Sequence, residues 1–389
     1  MSASPTGPFV LFRDDPGGHE TLFTKPLEIL APTNALEFEA ALVKAQAARR
    51  AGKWLAGTIA YEAGYVLEPK LAPLLPAQSE RRVPLMCLGI FEAPLQRAVA
   101  PDAGHANSNG PIFNARATWN YDDYRPRFER VHRHLREGDC YQANLTFGIE
   151  TEWSGTPLDA FNALTARQPV KYGALVDLGG PIILSRSPEL FFEIDRQGWI
   201  ETHPMKGTMR RGDTPQEDET LRETLRNDPK NQAENRMIVD LLRNDISLIS
   251  EVGTLDVPEL FRIETYPTVH QMVSRVRAKL LPDLTIRTIL AALFPCGSIT
   301  GAPKIRAMEI LRGLETQPRD AYCGAIGWIA PEGPMRFSVA IRTITLFPEG
   351  EAVYNVGGGL VFDSTAEEEY QECLLKARFA TGTVPAHSA

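Results

Sequence analysis

The 389-residue chain is poor in cysteine: Cys87, Cys140, Cys296, Cys323 and Cys373 are scattered, odd in number, and form no C-x-x-C pair. This excludes a disulfide framework and a cysteine-based zinc cluster and points to a reducing compartment. There is no run of the roughly 20 apolar residues that a membrane helix needs, and Met1 to Val10 has no basic stretch leading into an apolar one. Neither a membrane span nor a secretory leader is expected, so the cytoplasm is the default location. No Lys/Arg stripe occurs, and the formal net charge is −8, which argues against a nucleic-acid partner. An anionic substrate stays open, because local donors decide binding. Internal repeats and low-complexity tracts are also missing.

What is present is ordinary globular material, 43% hydrophobic and 23% charged. The length suits two or three domains, or one large core with an appended lobe. Residues 8–95 read as an α/β lobe. Phe9–Phe12 is a short strand, and the apolar period of Phe38, Ala41, Leu42 and Ala45 predicts a helix over Glu37–Ala51. Leu85–Phe91 reads as a strand. Within it, Met86-Cys87-Leu88-Gly89 resembles the nucleophile turn of glutamine amidotransferases only loosely. The preceding glycine and a downstream His-x-Glu are absent, so Cys87 reads as a buried strand residue. Ala98–Asn114, rich in Ala, Pro, Asn and Gly, is the expected linker. It closes an N-terminal lobe of residues 1–115 and precedes a second domain of residues 116–384. A helix is expected over Tyr121–Glu137, stopped by Gly138, then a strand over Cys140–Glu150. Strands and helices then alternate irregularly, which suits α+β better than doubly wound α/β.

Several residues carry chemical potential. Lys206 lies between Pro204 and Gly207 in Pro204-Met205-Lys206-Gly207-Thr208, a surface turn or an aimed amine. Glu234 falls four residues before Ile238 on the inward face of a helix over Gln232–Ser250, and needs an arginine or a metal there. Ser364 and Glu367 have the form of a capping box, and Glu369, Glu372 and Lys376 follow on one line of the helix. Either this is a solvated face, or the two helices share a hard-cation site; carboxylate oxygens suit Mg²⁺. Gly357-Gly358-Gly359, after a strand and before that helix, can present bare N–H groups to an anion. Gly297 to Lys304 departs from the P-loop pattern and reads as a tight turn or a carboxylate cradle. On the strand expected over Arg336–Thr343, Ser338, Ala340 and Arg342 share a face; Arg342 there forks toward a carboxylate or makes a structural ion pair.

Taken together, Pro204–Thr208, Glu234–Asp245, Gly297–Lys304 and Glu369–Glu372 resemble, in order, the motifs of the chorismate-utilising enzymes. These are anthranilate synthase component I, isochorismate synthase and aminodeoxychorismate synthase component I. The likeness is strong over 116–382 and looser before it. It implies a large α+β fold, two sheets packed as a sandwich with flanking helices and the site between them. It implies Mg²⁺ on Glu234 and Glu372 with Glu369 close by. The ring carboxylate would meet the metal and Gly207-Thr208. The enolpyruvyl carboxylate would meet Tyr322, Arg342, Lys376 and Gly357–Gly359, and His270 would lie near the ring.

Two positions separate the subfamilies. Anthranilate synthases carry alanine where this chain has Lys206, and isochorismate synthases place a water-activating lysine where it has Gln142. Gln142 with Lys206 resembles the aminodeoxychorismate synthases. Met205 departs from the usual isoleucine, a volume-conserving change. The implied chemistry uses Glu189 as general acid on the C4 hydroxyl and Lys206 as a covalent nucleophile at C2. Ammonia from a separate glutamine amidotransferase subunit would then give 4-amino-4-deoxychorismate, a precursor of p-aminobenzoate and folate, and another protein would act as the lyase. Anthranilate synthase component I and a non-catalytic chorismate-binding regulator are the alternatives.

Overall fold

A computed structural model describes residues 6–99, 111–266 and 269–387. Two large twisted sheets stack face to face, each with helices on its outer side. The first runs from the short strand Ala386–His387 through Ile112–Ala117, Gln142–Trp153, Glu351–Leu360, Thr343–Leu346, Ile182–Ser187, Tyr172–Asp177, Phe9–Asp14 and His19–Thr24 to Leu95–Ala98. The second runs from Met205–Arg210 through Val269–Lys279, Trp199–Thr202, Leu190–Ile194, Met335–Val339, Ala325–Ile329, Trp54–Ile59 and Met86–Phe91 to Glu28–Leu30. Pairing is antiparallel, except for the bridge between Ala386–His387 and Ile112–Ala117. The expected α+β sandwich is therefore the observed architecture.

The inner faces meet over Val10, Phe23, Ala174, Val176 and Ile183 from one sheet and Ala56, Phe91 and Ile326 from the other. Phe23 and Phe91 contact at 5.3 Å between ring centroids. Burying each such ring contributes about 1.5–3 kcal/mol. Small residues such as Ala56, Ala174 and Ala340 let the sheets approach where aromatics fill the gaps.

Strands of the first hundred residues enter both sheets. Phe9–Asp14 pairs with Tyr172–Asp177, and Trp54–Ile59 pairs with Ala325–Ile329. Residues 100–110 of the expected linker lie outside the described residues; on either side, Ala98 closes one strand and Ile112 opens the next. Among the described residues no helix is long and apolar enough to cross a membrane.

The helices largely match their sequence signals. Tyr121–Glu137 has a reciprocal capping box between Asn120 and Asp123 and stops at Gly138, whose φ of +80° favours glycine. The helix expected over Gln232–Ser250 is Pro229–Ser247. It starts earlier because Asp228 accepts from Asn231 N and Pro229 sits in the first turn. The C-terminal helix is Ala366–Thr381, capped by Thr365 on Glu368 N. Ser364 is therefore not the cap: it accepts from Val361 N and donates to Glu369 Oε1 at 2.6 Å. The strand expected over Arg336–Thr343 ends at Val339. The chain crosses to the other sheet there, and Arg342 takes φ +51° before Thr343–Leu346 begins. Arg342 thus shares no strand face with Ser338; the crossover aims it.

Candidate active site

The site lies where the Met205–Arg210 strand, the Pro229–Ser247 helix, the glycine strand and the C-terminal helix converge. Lys206 stands at a bulge. The register of its strand against Val269–Lys279 shifts between Met205 and Thr208, and Gly207 has φ +97°. A bulge turns a side chain out of the regular alternation, so the turn-like sequence produces an aimed strand residue. Asn235 clamps the helix to this strand. It accepts from Ser274 Oγ at 2.6 Å, with longer contacts from its amide to the Lys206 and Met272 carbonyls. The preceding residue, Glu234, is thereby fixed with Oε2 3.6 Å from Lys206 Nζ.

The glycine triplet falls inside the Glu351–Leu360 strand, not after it. Gly357, Gly358 and Gly359 pair with Thr146, Leu145 and Asn144. On the other side, the Thr343–Leu346 strand pairs only as far as Tyr354, so the edge beyond is open. The triplet also provides room. A Cβ on Gly358 would sit 2.5 Å from Glu369 Oε2, and one on Gly359 would sit 3.0 Å from Gln142 Nε2 and 3.3 Å from Lys206 Nζ.

The C-terminal helix presents Glu369, Glu372 and Lys376 in line, as their spacing predicts. Lys376 Nζ lies 2.7 Å from Glu372 Oε1 and donates to the Gly357 carbonyl at 3.1 Å. Burial raises the Glu369 carboxyl above its ordinary range, against the Ser364 hydrogen bond. Burial pushes Glu372 the same way, but Lys376, Lys206 and Arg342 outweigh it and hold it low. Arg342 is lowered by burial, against the pull of Tyr322 and Glu372. Tyr322 is buried and its phenol is raised well above its ordinary value.

Glu189, 5% exposed, accepts from Ser298 Oγ at 2.7 Å. Burial pushes its pKa up to about 7, against Ser298 and the charge of Lys206. A carboxyl that keeps its proton near neutral pH can donate it. Gly297–Lys304 thus acts through Ser298, while Lys304 is paired with Asp245 at 2.6 Å. The role of Ser298 could not be read from the sequence, which shows the loop but not its distant partner, in the short connection between the Ile182–Ser187 and Leu190–Ile194 strands.

Most of the expected residues gather here: Lys206, Glu189, Glu234, Glu369, Glu372, Lys376, Tyr322, Arg342 and the three glycines. Two stand apart. Thr208 is exposed and accepts from Gln271. His270 is fully buried, with Nε2 2.9 Å from Asp218 Oδ1 and Nδ1 3.0 Å from Thr265 Oγ1. Both ring nitrogens are therefore engaged within the protein. The three glutamates are not drawn into a closed cage either. Among the described residues, the group of three ligand-type side chains with atoms within 4.8 Å of one another is His134, Glu137 and Asp139. There Asp139 is already paired with His134 and Arg306.

The site thus brings together a carboxyl raised to about 7, an amine beside a carboxylate, a buried arginine and an open glycine strand edge, a set that can pass a proton and receive an anion. The chain belongs to the chorismate binding enzyme family, whose model matches residues 8–382. It is 44% identical over 261 residues to aminodeoxychorismate synthase component 1 of Klebsiella aerogenes, covering 67% of this chain and 57% of that protein. It is 37% identical over 278 residues to an anthranilate synthase component 1 of Haloarcula marismortui, covering 70% and 56%. The matched region thus spans little more than half the length of these curated relatives. The crystal structure of anthranilate synthase component I from Streptococcus pneumoniae superposes with a TM-score of 0.79 at 25% identity, covering 98% of this chain and 94% of that one.

Proposed function

We propose that the chain is the chorismate-converting component of an aminodeoxychorismate synthase, forming 4-amino-4-deoxychorismate from chorismate and ammonia. The observation that carries this reading is Lys206, set at a strand bulge with Glu234 at 3.6 Å and close enough to Glu189, whose carboxyl is raised to about 7, for its charge to be felt there. The relatives named for this activity support it over the anthranilate synthase alternative.

In this mechanism Arg342, Lys376 and the open edge at Gly357–Gly359 take the enolpyruvyl carboxylate. Glu189 gives its proton to the C4 oxygen, which leaves as water. The Lys206 lone pair forms a bond to C2, and the two ring double bonds shift toward C4 as the C–O bond breaks. Ammonia then bonds to C4, the double bonds shift back, the C2–Nζ bond breaks to return the lysine, and the new ammonium passes a proton back to Glu189. Chorismate and ammonia give the amino product and water, and no oxidant is needed. A separate glutamine amidotransferase subunit would supply the ammonia.

The acidic residues fit a divalent cation. Glu234 and Glu369 are half-buried and Glu372 is exposed beside them, and Lys206, Lys376 and Arg342 offset their charge. Mg²⁺ needs only one or two protein carboxylates beside waters and an anionic substrate, so a closed cage is unnecessary. Glu234 and Glu372, with Glu369 behind, would hold it. When bound it would anchor the ring carboxylate and withdraw charge from the ring.

Intact-protein mass spectrometry after mixing with chorismate without ammonia tests the reading. An adduct mapping to the Lys206 peptide is expected in the parent and not in Lys206→Ala. A Lys206→Ala variant that makes the para-amino product at the parent rate would overturn it, as would an ortho-amino product.

A further inference from the structure

Gln142 opens the Gln142–Trp153 strand and is fully buried. Neither its Nε2 nor its Oε1 has a hydrogen-bond partner among the described residues. A buried amide left unpaired at both ends loses its water without compensation, which native structures rarely tolerate. Slippage of the main chain cannot relieve it. Ala302 pairs with Gln142 across the strand, and the Ala302 carbonyl accepts from Tyr141 N at 2.6 Å.

The surroundings show what this amide serves. The Cβ position that Gly359 leaves vacant is 3.0 Å from Gln142 Nε2 and 3.3 Å from Lys206 Nζ. One side-chain-free space is thus bordered by the unpaired amide and by the amine. On its other side the amine faces Glu234 Oε2, at 3.6 Å. We propose that Gln142 is a positioning residue for Lys206: with its unpaired amide turned over so that Oε1 takes the place of Nε2 at the gap, Oε1 accepts one N–H of the amine and the lone pair turns to the substrate carbon.

This rests on Lys206 being the nucleophile. The residue type suits the task. A second carboxylate in that place would add to the pull of Glu234 toward the non-nucleophilic ammonium, whereas a neutral amide orients the amine without a further counter-charge. As the C2–Nζ bond forms, the nitrogen becomes cationic and its N–H donates more strongly. The contact therefore strengthens in the transition state and lowers the barrier.

Two variants probe the two sides of the shared space. Gln142→Met keeps length and removes both polar atoms; Gly359→Ala fills the gap. Each is mixed with chorismate without ammonia, and the rate of adduct mass gain on Lys206 is compared with chorismate affinity. For Gln142→Met the adduct should form about 10- to 100-fold more slowly, the worth of a hydrogen bond to a charged group. Chorismate affinity should be unchanged and the melting temperature no lower. Adduct formation at the parent rate, or a slowing matched by an equal loss of affinity, would overturn the assignment. If Gln142→Met does not fold, Gly359→Ala decides: slowing is expected, and the parent rate overturns the proposal. Should the parent form no Lys206 adduct, the nucleophile reading falls and this one with it. An adducting parent with unslowed variants sinks only the role of Gln142.

Discussion

Glu189→Gln should lose turnover and yet become the more stable of the two proteins as pH rises and the parent weakens. The Glu189 carboxyl is pushed from an ordinary 4.5 to about 7 by burial. That difference corresponds to roughly 3 kcal/mol of folding free energy. Its sign follows from proton counts. Below 4.5 the carboxyl is protonated both folded and unfolded, and its contribution is constant. Between 4.5 and about 7 the unfolded chain releases the proton while the folded protein keeps it, so stability falls as pH rises. Above about 7 the loss is complete. Glutamine can still accept from Ser298 but cannot ionise. Urea unfolding of parent and variant from about pH 5 to about pH 8 should show the parent losing roughly 3 kcal/mol relative to the variant. Turnover of the variant should fall by about 10²- to 10⁴-fold, the usual worth of a general acid. A stability difference that stays flat with pH would refute the reasoning, whatever the activity.

Two other perturbations test the acidic side of the cleft. Glu234→Gln removes a carboxylate facing Lys206 and should move the Mg²⁺ dependence of turnover to higher concentration while lowering its maximum; a metal titration superimposing on the parent would exclude Glu234 as a ligand. Gly358→Ala places a methyl 2.5 Å from Glu369 Oε2 and should displace that carboxylate, costing about 1–3 kcal/mol in stability and weakening metal dependence. Parent-like melting and kinetics would show that the glycine is not there for space.

Local periodicity made much of this molecule legible. Gly138 ends its helix where expected, and the spacing of Glu369, Glu372 and Lys376 placed them in one line. What stayed hidden depends on strand pairing at long range. Arg342 looked like an inward strand residue because Ser338 and Ala340 alternate with it; nothing local signals that the chain changes sheets after Val339. The glycine triplet was placed after the strand because three glycines lack strand propensity, yet their neighbours across the sheet hold them extended within it. Ser364 and Glu367 have capping-box form, but Thr365 took the cap and left Ser364 to hold Glu369. Gln142 was marked by its residue type, while its burial became visible only with the sheet assembled around it.

The interleaving of early and late strands has a cost during synthesis. Trp54–Ile59 finds its neighbour Ala325–Ile329 only after about 270 more residues have been made. At elongation rates of about 5–20 residues per second that wait is on the order of 15–50 s. Throughout it one edge of Trp54–Ile59 is without its partner, although Met86–Phe91 can pair with the other edge early. A nascent chain interrupted before residue 325 would leave the second sheet without its middle, and quality control would meet an aggregation-prone fragment with no working half.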